Sequence, residues 1–100
     1  MTEYEKFLPL GSVCLLKKAK KRIMVIGYLP MVTEDNNTQV VYDYVGCLYP
    51  EGIISTEQSL LFNHSDIDKL FYMGYIDDEY KEFNKQLLES SAKHNKEENK

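Results

Sequence analysis

The chain has 100 residues, which is enough for one small domain with a single core that needs neither a disulfide nor a metal to fold. Its net charge of −4 argues against nucleic-acid binding, because phosphate neutralisation requires a basic surface. The two cysteines, Cys14 and Cys47, lie in apolar runs without partners at metal-ligand spacing, so we expect buried, reduced thiols. No secretory signal pattern and no membrane-spanning apolar run is present, so we expect a cytoplasmic protein without membrane insertion.

The first third of the chain predicts an extended lead-in followed by a hairpin. Residues 7–11 are apolar but interrupted by a proline and a glycine, so they should pack on the domain as extended chain. Strands are expected at 12–16 and 23–29, the second continuing as a bent edge to Val32. The basic run 17–22 between them predicts a hairpin loop with solvated charge, rather than a phosphate or membrane patch.

The strand-like stretch around which the chain is organised is 40–49. β-Branched and aromatic residues fill it until Pro50, which cannot donate to a ladder, and a turn at 34–38 precedes it. Both of its faces are largely apolar, so we expect a central strand covered on two sides. Gly46 has no side chain to pack and predicts a bulge or a sharp bend in the sheet.

The second half of the chain predicts short β pieces before a last strand. Apolar pairs indicate strand-like segments at 53–55 and 59–62. Several cap-forming side chains at 63–68 favour one turn of 3₁₀ helix. The run 69–75 is then expected to form the final strand.

The chain ends in a predicted amphipathic helix. Asp77 is expected to cap a helix over 78–92, and residues 93–100 should form a disordered, charged tail. The helix stripe that should cover the core consists of Tyr80, Phe83 and Leu87.

These elements predict a mainly β, α+β fold: a small, strongly bent antiparallel sheet or an SH3-like barrel of about five strands, with a C-terminal helix. The pattern leaves the choice between a closed barrel and an open sheet undecided, because the helix could lie across either. We expect residues 1–92 to form a single domain that is monomeric on its own.

The residues that could carry chemistry stand in no catalytic motif. The candidates are Cys14, Cys47, His64, Asp43 and Glu51. Asp43, if buried, must be hydrogen-bonded, to a tyrosine hydroxyl or a turn amide, and His64 is expected to bond to backbone at a turn. We therefore predict no enzyme activity, no metal site and no cofactor. Eight tyrosines are many for this length, and they suit either a protein interface or the core.

Four segments give the chain a family resemblance: Phe7 to Val13, Ile23 to Gly27, Tyr42 to Gly52, and Leu61 to His64 with Ile67. Together they resemble, over residues 7–88, a small uncharacterised-domain family encoded in type VII secretion loci of Gram-positive bacteria, beside genes for toxins with an N-terminal LXG domain. The resemblance implies a non-catalytic, cytoplasmic accessory protein. It would act as a chaperone or targeting factor that binds the helical LXG region of a toxin, alongside small helical partner proteins.

Two surfaces are candidates for that binding. The tyrosine face of the organising strand has Tyr42 and Tyr44, with Tyr49 at the end of the strand, and we favour it as the site. The other candidate is Leu88, which lies off the helix stripe and is expected to be exposed. Two further functions remain open: an immunity-type inhibitor that binds the catalytic domain of a toxin, and a small-barrel nucleic-acid-binding module, which the acidic balance disfavours.

Overall fold

A computed structural model describes residues 7–55 and 59–98, with side chains up to residue 92. Within these ranges, seven strands, one 3₁₀ turn and one helix follow each other. They are β1 Val13–Leu16, β2 Ile23–Tyr28, β3 Met31–Thr33, β4 Gln39–Val41, β5 Tyr44–Leu48, β6 Leu60–Phe62, the 3₁₀ turn His64–Asp66, β7 Ile67–Tyr72 and α1 Asp78–Glu98. In the described residues, no helix is long and apolar enough to cross a membrane.

Five of the strands form one antiparallel sheet in the order β6-β5-β2-β1-β7, and β3 pairs with β4 in a second, two-stranded sheet. A flat sheet would place β6 and β7 at least about 19 Å apart, at about 4.8 Å per strand. The connection from Phe62 to Ile67 contains the 3₁₀ turn and reaches about 13 Å at most. The large sheet must therefore roll up.

The predicted mainly antiparallel α+β fold with one C-terminal helix is thus confirmed. Among the described residues, the strand pairing ends at β6 and β7 and does not close on itself. The strongly bent sheet is consequently the better description of the two that the sequence left open.

The organising stretch 40–49 is two strands, so its prediction as one continuous strand is wrong. It divides at Tyr42 and Asp43, and its first part, β4, belongs to the small sheet. The backbone N–H of Asp43 donates to the side-chain oxygen of Asn63 at 3.0 Å instead of to a neighbouring strand. β5 is an interior strand as expected, but the middle place in the sheet belongs to β2.

The second predicted strand also divides where the chain changes sheets. β2 stops at Tyr28, and Leu29 has a φ of 53°, a left-handed conformation that a strand does not accommodate. The bent continuation to Val32 exists as the separate strand β3, paired with β4.

A bulge does occur near Gly46, but on the strand that faces it. β2 shifts register between Val25 and Gly27, opposite Gly46 and Val45. Gly46 itself is required by close packing, since a Cβ atom there would lie 2.5 Å from Ile23 Cγ2. The glycine therefore lets side chains cross over the strand, and the extra residue of β2 increases the local twist.

Other boundaries differ from the predicted ones. Residues 53–55 form no strand, and Ile54 is largely exposed. β7 begins two residues early, at Ile67, and ends at Tyr72. The helix continues to Glu98, so the backbone of 93–98 is helical where a disordered tail was expected, and residues 99–100 lie outside the described part.

The core lies between the inner face of the rolled sheet, the lead-in and α1. It consists of Phe7, Leu8, Cys14, Ile23, Val25, Tyr44, Phe62, Ile67 and Leu87. The lead-in residues Phe7 and Leu8 are completely buried, as the sequence predicted. Their side chains pack in the core with residues of the rolled sheet.

Candidate protein-binding groove

Three tyrosine hydroxyls hold the backbone of the lead-in. Tyr28 donates to the carbonyl of Leu8 at 2.5 Å, and Tyr80 donates to the carbonyl of Phe7. The hydroxyl of Tyr44 accepts the N–H of Leu8 at 3.0 Å. Because the lead-in belongs to no strand, these side chains satisfy backbone groups that a sheet would otherwise pair.

Tyr44 is the centre of a small polar network at the 3₁₀ turn. Its hydroxyl lies 2.8 Å from Nδ1 of His64, and it can donate to this nitrogen while accepting from Leu8. The backbone N–H of His64 donates to the carboxylate of Asp43 at 2.8 Å. The prediction that Asp43 bonds to a turn amide is confirmed. This turn begins at Asn63, which forms a capping box with Asp66.

Burial makes Tyr44 a core residue, so its prediction as an exposed anchor is wrong. It is 0% exposed, and its ring stacks on Phe62 with centroids 5.1 Å apart. Burial raises the pKa of its phenol well above the usual range. Of its predicted companions, Tyr42 is half-buried at the β4–β5 junction, and Tyr49 is 36% exposed beyond β5. Tyr42 and Tyr44 therefore do not form the exposed tyrosine face that was predicted.

Leu88 is also not the exposed residue that was expected. It is half-buried and packs against the core cluster. Along α1, the buried face has Asn84, Leu87 and Ser91, while Phe83 of the predicted stripe is 46% exposed. The helix is therefore rotated relative to the prediction, because a buried asparagine and serine take places that hydrophobicity alone would not assign to them.

The rotation of the helix leaves an apolar groove between the lead-in and the first turns of α1. Its walls are formed by Leu10, Tyr28, Tyr75, Asp77, Glu79, Tyr80 and Phe83, around a cavity of about 470 Å³. Tyr75 is 79% exposed, and Leu10 is also largely exposed. Such a concentration of exposed aromatic and aliphatic surface on a small domain is typical of a binding site.

Local structure positions each side of this groove. Asp77 accepts the backbone N–H of Tyr80 at 2.8 Å and caps α1, as predicted. Gly74 allows the chain to pass over the lead-in, since a Cβ atom there would lie 2.0 Å from the carbonyl oxygen of Leu10. On the other side, the ring of Phe83 meets that of Tyr28 edge to face, 5.9 Å between centroids.

Sequence reasoning missed this groove because its residues come from three separate segments. The sequence placed Tyr75 inside the predicted final strand, and only the end of β7 at Tyr72 shows that this tyrosine lies beyond the sheet. Nothing in the sequence indicates that Leu10 and Phe83 lie beside it.

The other residues that were candidates for catalysis are buried thiols or a carboxylate in an ion pair. Cys14 and Cys47 are buried and unpaired by any disulfide, and burial raises the pKa of Cys14 to about 11, so its thiol stays protonated at neutral pH. Glu51 is paired with Lys21 at 2.8 Å, and this hydrogen bond lowers the pKa of the carboxyl group. Within the described residues, no three His, Cys, Asp or Glu side chains could together hold a metal ion.

The fold and the groove define a small α+β domain in which a rolled antiparallel sheet and one helix enclose a tyrosine-anchored lead-in. The chain belongs to the family described as Domain of unknown function (DUF4176), whose model matches residues 7–83. The match runs from the lead-in to the groove residue Phe83. Comparison with curated proteins and with solved structures finds no match.

Proposed function

We propose that this protein is a non-catalytic, cytoplasmic accessory factor that binds the helical N-terminal LXG region of a type VII secreted toxin, as a chaperone or targeting factor. The resemblance of the sequence to domains from type VII secretion loci supplies the partner. The groove at the start of α1 supplies the observation on which the proposal rests, because it exposes aromatic side chains that the fold does not need to expose.

The groove has the character of a site for an amphipathic helix. Such a helix presents apolar residues at i, i+3, i+4 and i+7, and it binds by placing them in a hydrophobic channel. Leu10, Tyr75 and Phe83 provide apolar and aromatic surface of this kind. Asp77 and Glu79 at the rim would attract a helix that has lysine or arginine beside its apolar stripe.

The proposal includes no catalysis. It is supported here by the hydrogen bonds of the polar residues that were candidates for chemistry. The carboxylate of Asp43 accepts the backbone N–H of His64. The hydroxyl of Tyr44 connects the ring of His64 to the backbone of the lead-in. These bonds stabilise the fold around the 3₁₀ turn. The groove itself combines apolar side chains with carboxylates and a capped helix start, an arrangement suited to binding.

The proposal is tested by coexpressing the protein with a toxin encoded beside its gene, supplied as separate N-terminal LXG and C-terminal halves. The LXG half should copurify with the protein and the C-terminal half should not. Tyr75→Ala and Phe83→Ala should each weaken LXG binding at least about tenfold, that is about 1.4 kcal/mol, measured by calorimetry. Ile54→Ala is the matched control, since Ile54 is an equally exposed apolar residue outside the groove.

Two results would contradict the proposal. Binding of full strength to the toxin half without the LXG region would favour the immunity-type inhibitor instead. Unchanged LXG binding by folded Tyr75→Ala and Phe83→Ala variants would remove the groove as the site.

A further inference from the structure

A second surface of different character lies at the tip of the β1–β2 hairpin. The loop between the two strands has five exposed cations: Lys17, Lys18, Lys20, Lys21 and Arg22. Three exposed aromatic residues accompany them: Tyr49 and Phe71, whose rings both lie against Arg22, and Tyr72, which follows Phe71 in β7. We call these residues the cationic surface.

Arg22 joins the two parts of the cationic surface. Its guanidinium carbon lies 5.1 Å from the ring centroid of Tyr49 and 5.8 Å from that of Phe71. Cation–π contacts of this kind contribute about 0.5–1 kcal/mol at exposed sites. They hold two rings from distant parts of the chain against one cation, which gives the combination of aromatic and arginine side chains that is enriched at protein interfaces.

The cationic surface adjoins a free sheet edge. In the described residues, β7 pairs only with β1, so its other side offers unpaired backbone N–H and C=O groups. The hairpin loop lies at the start of this strand, because Lys17 donates its backbone N–H to Asp66 at 2.8 Å. Further along, β7 has a register shift against β1. Leu70 pairs with Cys14 and Tyr72 pairs with Val13, so Phe71 is the extra residue of β7.

We propose that the cationic surface binds an extended, acidic segment of a partner protein, which adds as a strand to the free edge of β7. Its carboxylates would meet the lysines of the hairpin loop, and its apolar side chains would contact Phe71 and Tyr72. Tyr72 is 62% exposed and has no role in the core. This inference concerns a separate surface and does not rest on the function proposed for the groove.

The charge of the surface favours an acidic partner. Of the five loop cations, Lys21 has an ion-pair partner in the described part of the chain, Glu51 at 2.8 Å. The other cations add positive potential to a chain whose net charge is −4, so they concentrate attraction for an anion at one end of the domain.

A peptide fits this surface better than a nucleic acid. An unpaired strand edge provides hydrogen bonds that only another polypeptide backbone can match in register. Asp68 and Lys69, exposed on β7, disfavour unspecific pairing with other strands, and an acidic residue opposite Lys69 would be accepted.

The test uses the intact protein and a fluorescently labelled synthetic peptide of alternating glutamate and valine with a central tyrosine. Fluorescence anisotropy should show binding at low salt that weakens as salt is added. Two further peptides are N-methylated at alternate backbone nitrogens. In one peptide the methyl groups block the N–H groups along one edge of the extended chain, and in the other peptide they block those along the opposite edge. Methylation of the edge that pairs with β7 should weaken binding at least tenfold, and methylation of the other edge should not.

Variants of the protein test the same surface from the other side. Lys17→Glu combined with Lys20→Glu should weaken binding of the unmodified peptide at least tenfold. Lys81→Glu combined with Lys85→Glu, at exposed positions of α1, is the control with the same change in net charge and should leave binding within twofold. Circular dichroism verifies that both variants are folded.

Three results would overturn the proposal. The first is that the peptide does not bind at low salt. The second is that both N-methylated peptides bind as well as the parent peptide. The third is that a single-stranded oligonucleotide binds more tightly than the peptide and loses affinity in the same loop variant. The last two would define the surface as a general anion patch without strand addition.

Discussion

Removal of one hydroxyl group, in Tyr44→Phe, should destabilise this domain measurably. The hydroxyl accepts the N–H of Leu8 at 3.0 Å and lies 2.8 Å from His64 Nδ1. Leu8 is 0% exposed, so water cannot replace the lost acceptor. A buried donor left without a partner costs about 1–3 kcal/mol, and His64, which is half-buried, loses a bond as well.

We therefore expect Tyr44→Phe to lower the free energy of unfolding by about 2–3 kcal/mol. For a domain of this size the melting temperature should fall by roughly 10–20 °C. The ring can keep its stacking on Phe62, so the change isolates the hydroxyl from the packing. Since small domains have about 5–15 kcal/mol of stability, the variant should remain folded at room temperature.

Urea denaturation followed by circular dichroism measures this difference, with an unchanged slope as evidence that the unfolded surface is the same. Tyr42→Phe is the control, because Tyr42 is half-buried in the neighbouring strand junction, and its loss should be below about 0.5 kcal/mol. A loss below about 0.5 kcal/mol for Tyr44→Phe as well would refute the assignment of this hydroxyl as a support of the lead-in.

Two further predictions concern close packing and alkaline stability. Gly46→Ala should lower the free energy of unfolding by about 1–3 kcal/mol, because the added methyl group overpacks the core. Gly27→Ala should lower it less in the same denaturation assay, since a Cβ atom there meets its nearest neighbour at 3.4 Å. Equal losses would contradict the packing argument. Burial raises the phenol pKa of both Tyr28 and Tyr44 above the value of about 10 that an unfolded tyrosine has, so the folded state retains protons that the unfolded state releases, and stability should fall as the pH rises above about 10. Absorbance at the phenolate band should show these two tyrosines ionising together with loss of the circular dichroism signal, and ionisation of all tyrosines in the folded protein near pH 10 would refute their burial.

Features set by local sequence were predictable. The hairpin loop, the 3₁₀ turn at Asn63 and the cap at Asp77 depend on residues within a few positions of one another. Their signals are charge, capping side chains and turn residues, which act before any distant part of the chain is in place. The burial of Phe7 and Leu8 also followed from composition, because apolar residues in a segment that cannot form a strand tend to be covered by the domain.

The face that each strand turns to the core was not predictable. Period two places Tyr42 and Tyr44 on one side of a continuous strand, but the bond between Asp43 and Asn63, twenty residues away, divides that strand. Since both faces of the stretch are apolar, hydrophobicity alone could not choose the buried one. The network of Leu8, Tyr44 and His64 made that choice.

The sequence by itself determined the α+β class of this protein, its β1–β2 hairpin, its 3₁₀ turn and the capped start of its C-terminal helix, because these follow from periodicity, capping and turn chemistry along the chain. The tertiary structure alone decided which aromatic residues remain on the surface. The order and register of the strands bring Tyr49 and Phe71 to Arg22, and the packing of α1 places Phe83 in one groove with Tyr75. Both surfaces combine residues far apart in the chain, and their proximity depends on strand register and helix packing, for which a single sequence has no local signal.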